Sequence, residues 1–139
     1  MKEKYGNSFV GSKEGMKLGV SSPWIRVDEF YPGGAMLKVG DYKETTSQTI
    51  KVGDKIPLGT PIYMKGLGSK AYFTSDTNVT GKGVVPTFAG LTYEDAYVGE
   101  EGCSLTIVTS GTIHKENVEV DLRDKDTISE YRRMGILIV

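Results

Sequence analysis

Apolar and polar positions alternate most clearly at residues 103–109, C-S-L-T-I-V-T, where Cys103, Leu105 and Ile107 share one parity. A period of two, rich in β-branched residues, predicts a strand with one buried face. Gly99 and Gly102 bracket the acidic pair Glu100-Glu101 before it, and Ser110-Gly111 follows it. This punctuation predicts a tight connection, a strand, then a turn into Thr112-Ile113. Shorter runs predict strands at 24–27, 35–39, 49–52, 62–64 and 70–74, with turns at 28–34 and 66–69 and a loop over 75–85. Pro57 and Pro61 cannot donate to a ladder, so the corner 55–61 belongs at a sheet edge or a bend.

Past the central run, residues 116–122 alternate again, with Val118, Val120 and Leu122 on one side. Residues 128–134, I-S-E-Y-R-R-M, form the one convincing helix. Residues 124–127 offer N-caps, Arg132 and Arg133 suit its C-terminal end, and Gly135 stops it. The chain finishes Ile136-Leu137-Ile138-Val139, four aliphatic residues that must either add a strand to the sheet or insert into a neighbouring subunit. Eight or nine short strands with one short C-terminal helix predict a mainly β domain over residues 23–139, small and barrel- or sandwich-like.

Residues 1–22 break the pattern. Tyr5, Phe9, Val10, Met16 and Leu18 follow neither a helical nor a strand period, and lysines and glycines separate them. An extended N-terminal arm is expected, and two readings of it stand: a frayed terminus, or an arm that orders against a partner. Trp24, just after the Ser22-Pro23 boundary, is expected to anchor either the core or a subunit contact, with the core favoured.

Composition narrows the function. A chain of 139 residues suits one domain with a real core. Seventeen basic and eighteen acidic residues are mixed along it, leaving no basic stripe of the kind that tracks a phosphate backbone, so no nucleic-acid partner is expected. No apolar run approaches a bilayer span and no signal-type segment opens the chain, so no membrane role and a cytoplasmic origin are expected. Cys103 is the single cysteine; it lies on the apolar parity and reads as an inert core residue.

Catalytic chemistry is not expected. Glu94-Asp95 and Glu100-Glu101 are carboxylate pairs, but neighbours in a strand face opposite ways and neighbours in a turn face solvent. His114 has no second histidine or cysteine with which to hold a metal, and Ser110 lacks the nucleophile-elbow pattern. Gly81-Lys82-Gly83 lacks the spacing of a phosphate loop, so no cofactor or metal site is expected.

Three short segments point further. The order Pro57-Leu58-Gly59-Thr60-Pro61, then Gly90-Leu91-Thr92-Tyr93-Glu94-Asp95-Ala96, then Leu105 to Val108 with Gly111-Thr112-Ile113, resembles the head decoration proteins of tailed phages. These are the lambda-type capsid-stabilising proteins and their head fibre relatives. The resemblance spans roughly residues 55–113. It implies a β-rich auxiliary capsid protein, a homotrimer in the way of that family, on the outer surface of a virion assembled in the host cytoplasm. Its partner would be the major capsid protein. The arm residues Tyr5, Phe9, Val10, Met16 and Leu18 would then bind the shell. Trp24, Ile136, Leu137, Ile138 and Val139 would supply oligomer contacts. Residues 24–47, the helix and the aliphatic tail have no counterpart in the smallest members, which leaves a cementing protein and a head-fibre base both open. A second class, a carbohydrate-binding β domain, would place Tyr63, Tyr72 and Tyr97 on one exposed face.

Overall fold

A computed structural model describes residues 23–67, 70–120, 122 and 125–139. Its strands are β1 (Trp24–Phe30), β2 (Ala35–Leu37), β3 (Lys55–Ile56), β4 (Pro61–Met64), β5 (Thr87–Thr92), β6 (Ala96–Tyr97), β7 (Cys103–Leu105), β8 (Ile107–Ile113) and β9 (Ile136–Ile138). Two α-helices, α1 (Thr77–Thr80) and α2 (Lys125–Arg133), and one turn of 3-10 helix (Lys115–Asn117) complete the described residues. The fold is mainly β, as the alternation predicts, but the sheets do not close into a barrel.

The main sheet runs β1-β8-β5-β4, with β9 also on β8. Strand β8 is its centre. One edge pairs antiparallel with β1, from Trp24 opposite Ile113 to Phe30 opposite Val108. The other edge is shared: Ile107 and Val108 pair with β5, while Gly111, Thr112 and Ile113 pair in parallel with β9. A parallel neighbour needs a crossover of a dozen or more residues, usually helical. Residues 114–135 provide it, and α2 exists to carry the chain back.

Each face of this sheet carries a core. Ile62, Met64 and Ile107 point to one core, closed by Ala35 and Leu37 of β2, Leu105 of β7 and Ile56 of β3. Leu91, Val108, Ile113, Ile136 and Ile138 point to a second core with Trp24, Leu122 and Tyr131 of α2. Ile107 and Val108, adjacent in sequence, thus serve opposite cores, as the pleat dictates. The ribbons β2-β7 and β3-β6 form one outer layer, and α2 with Val118, Val120 and Leu122 forms the other. On the helical side Phe88 stacks on Tyr131 at 4.5 Å and meets Tyr63 edge-on at 5.8 Å.

Several predicted elements differ, each for a physical reason. The run 103–109 is two strands. Cys103, Leu105 and Ile107 do share the parity of the first core. The chain changes sheets at Thr106, however, whose carbonyl accepts from Tyr93 N–H at 2.9 Å. Ser110-Gly111 is no turn and lies inside β8. Gly111 is there because β1 crosses closely: a Cβ on it would sit 2.5 Å from the Arg26 carbonyl oxygen. Residues 28–30, expected as a turn, continue β1. The stretches 49–52 and 70–74 make only isolated bridges, Tyr42 with Thr49, Met36 with Lys70 and Tyr63 with Tyr72.

Residues 116–122 bury Leu122 and half-bury Val118 and Val120, so the alternation reports burial correctly, yet they join no ladder among the described residues. The loop 75–85 contains α1, capped by the Asp76 carboxylate, which accepts from Asn78 N–H at 2.9 Å. Helix α2 starts a turn earlier than predicted and ends, as predicted, on Gly135 at φ 105°. The proposed caps Asp124 and, as side chains, 125–127 lie outside the described residues.

Gly111→Ala is expected to destabilise the protein by about 2–4 kcal/mol, because the clash is with backbone and cannot relax by a rotamer change. Thermal melts followed by circular dichroism check this, and an unchanged midpoint would show that β1 does not approach β8 so closely.

Candidate interaction surfaces

The corner 57–61 and the segment 90–96, distant in sequence, are locked together. Thr92 is a buried polar residue, 1% exposed. Its hydroxyl donates to the Pro57 carbonyl at 2.8 Å and accepts from Thr60 N–H at 3.0 Å. Its backbone N–H donates to the Thr60 carbonyl and its carbonyl accepts from Gly59 N–H, both at 3.0 Å. Asp95 accepts from Leu58 N–H at 2.8 Å and lies 3.6 Å from Lys55, which also bonds Glu119. The Glu119 hydrogen bond is the chief reason the Lys55 ammonium is held above its ordinary pKa. A buried hydroxyl that both donates and accepts fixes the corner with little freedom. Gly90 lets β5 reach β8, since a Cβ there would lie 2.1 Å from the Val108 carbonyl oxygen.

The aliphatic terminus divides by parity. Ile136 and Ile138 are buried in the second core, while Leu137 and Val139 are 38% and 42% exposed. The tail therefore adds a strand to the sheet of its own chain. Trp24 shares that core, with its indole N–H donating to the Tyr93 carbonyl at 3.0 Å. Of the residues expected at an oligomer contact, only Leu137 and Val139 face outward. A residue that sequence reasoning missed is Ile25. It follows the inward Trp24, at a bulge in β1, and is 55% exposed. Arg26, Thr112 and Leu137 are register partners across β1, β8 and β9, so they share the face opposite Trp24, Ile113 and Ile138. Alternation with the buried Trp24 already sets Ile25 outward; the bulge shows instead at Val27, which returns to the second core three residues after Trp24. The arm residues Tyr5, Phe9, Val10, Met16 and Leu18 lie outside the described residues.

The remaining candidates separate. Glu94, Glu100 and Glu101 are exposed, the last two at the tip of a turn closed by reciprocal Gly99–Gly102 backbone bonds of 3.0 and 3.1 Å. His114 is exposed, and its backbone N–H donates to the Pro23 carbonyl at 2.7 Å. Ser110 sits half-buried within β8. Cys103 is half-buried against the first core, and burial pushes its thiol pKa up. Among the described residues no cluster of three or more His, Cys, Asp or Glu side chains could hold a metal. No described helix is long and apolar enough to cross a membrane. Tyr63 and Tyr72 are bridged neighbours, but Tyr63 packs on Phe88 beside α2, and Tyr97 stands 64% exposed on the ribbon at the other side of the sheet. The three tyrosines do not share a face.

No protein-family model, curated protein or solved structure matches this chain.

The parity of β9 yields a paired prediction. Ile138→Asp places a carboxylate in the second core and is expected to cost more than about 3 kcal/mol, whereas Leu137→Asp should change stability by less than about 1 kcal/mol. Urea titration of both variants checks it; equal losses would mean that β9 is not placed with Ile138 inward.

Proposed function

We propose that this protein is a structural virion component that binds the outside of a phage capsid and bridges major capsid subunits, as a decoration protein or the base of a head fibre. The observation that carries the reading is the Thr92-centred lock. The segments that resemble the decoration family, 57–61, 90–96 and 105–108 with 111–113, are contiguous in space, joined by Thr92, Asp95 and the β5-β8 pairing. Three scattered motifs thus act as one structural unit.

The physical demands of such a clamp also fit. A subunit present in many copies on a shell needs a rigid body, an adaptable segment that can add to a capsid strand, and an apolar patch for self-association. The sheet, with a core on each face, is the body. Residues 1–22, with Tyr5, Phe9, Val10, Met16 and Leu18, are the capsid-binding arm. Leu137, Val139 and Ile25 supply outward apolar surface for a homotrimer.

Co-sedimentation with purified capsids of the phage that encodes the chain tests this. The full chain should pellet with capsids to saturation. A chain beginning at Pro23 should stay in the supernatant while keeping its melting transition, since both cores are built from residue 24 onward. Light scattering of capsid-released protein should give about three times 15.2 kDa. Absence of full-length chain from the pellet would overturn the capsid role, and retention of the truncated chain would overturn the arm.

A further inference from the structure

Two clefts open side by side on the surface, both lined by Lys43 and Phe73. One, of about 200 Å³, adds Tyr42, Tyr72, Lys70 and Thr74. The other, of about 270 Å³, adds Glu44, Gln48, Lys55, Pro57 and Thr60. Their shared wall is braced before any ligand arrives. Gly40 N–H donates to the Ile50 carbonyl at 2.9 Å, Ile50 N–H to the Asp41 carbonyl at 2.7 Å, and Lys43 N–H to the Gln48 carbonyl at 3.0 Å. Ile50 is 1% exposed and pins this loop to the first core. A preformed groove loses little ordering entropy on binding.

Charge decides what the groove can hold. Each lysine that lines it is already paired: Lys43 with Asp54 at 3.3 Å, Lys70 with Asp41 at 3.1 Å, Lys55 with Glu119 and Asp95. The Asp54 carboxyl is held below its usual range, first by the Lys51 N–H and then by Lys43. The Asp41 carboxylate is also fixed by Lys38 N–H at 2.9 Å. An anionic ligand would have to compete with these carboxylates and would meet Glu44 besides. A neutral polyhydroxylated ligand would not, because each ammonium has three donors and keeps some to spare. Lys70 also lies 5.4 Å from the centre of the Tyr72 ring, and Tyr42 is 47% exposed. Aromatic faces with a few donors and acceptors of both kinds are what the apolar and hydroxyl-bearing sides of a sugar ring require.

We infer that the paired clefts form one binding site for a neutral oligosaccharide, its rings lying on Tyr42 and Tyr72 and its chain crossing Lys43 and Phe73. The clefts share no lining residue with Leu137, Val139 or Ile25, and the inference does not rest on the capsid reading. Amide chemical-shift titration of the full chain with cellohexaose, maltohexaose, chitohexaose and, as the anionic comparison, oligogalacturonate tests it. At least one neutral probe should shift amides at 42–50 and 70–81 at millimolar concentration. Tyr42→Ala, at an exposed position, should weaken that binding about tenfold while Tyr97→Ala leaves it unchanged. Binding of oligogalacturonate alone, no shift with any neutral probe, or full affinity in Tyr42→Ala would overturn the site. Tyr42→Ala should still co-sediment with capsids, so the two functions can fail separately.

Discussion

Strand β8 is hydrogen-bonded along both edges and contributes side chains to the core on each face, and the other layers reach one another through it. Ile107, Val108 and Ile113 are fully buried, each contributing about 1.5–3 kcal/mol by leaving water. Because Ile107 faces one core and Val108 the other, a slip of one residue would exchange the two cores and expose neither side chain to its proper neighbours. Register is therefore strongly specified. It also fixes the terminus: β9 can pair with Gly111, Thr112 and Ile113 only with Ile136 and Ile138 inward.

Much of this was legible in the chain. The parity of Cys103, Leu105 and Ile107 located a buried face, the paired glycines around Glu100-Glu101 located a tight turn, and Gly135 located the end of a helix. Alternation reports which side chains are buried, as at Val118, Val120 and Leu122, without reporting whether a neighbouring strand is there to bond. That is why 116–122 reads as a strand. The transfer of the chain between sheets at Thr106 left no mark, since parity is conserved across it. Gly111 read as a turn because the sequence cannot distinguish a glycine that bends the chain from one that admits another backbone.

The surfaces follow from the same constraint. Once β8 claims the inward side chains of β1 and β9, Trp24, Ile136 and Ile138 belong to the core, and their neighbours Ile25, Leu137 and Val139 are left for contacts outside it. The sequence showed an apolar terminus but not its division. The Tyr42–Tyr72 groove was harder still to foresee. It depends on a loop held by Ile50 and on lysines neutralised by partners distant in sequence, such as Lys55 with Glu119 and Lys70 with Asp41.

The organising role of β8 is tested most directly by native-state amide hydrogen exchange. Bonded on both edges and opened only by global unfolding, the β8 amides at 108 and 111–113 should exchange slowest in the protein, while those of the β3-β6 ribbon exchange by local opening. Exchange of β8 as fast as that of β3 and β6 would contradict the account.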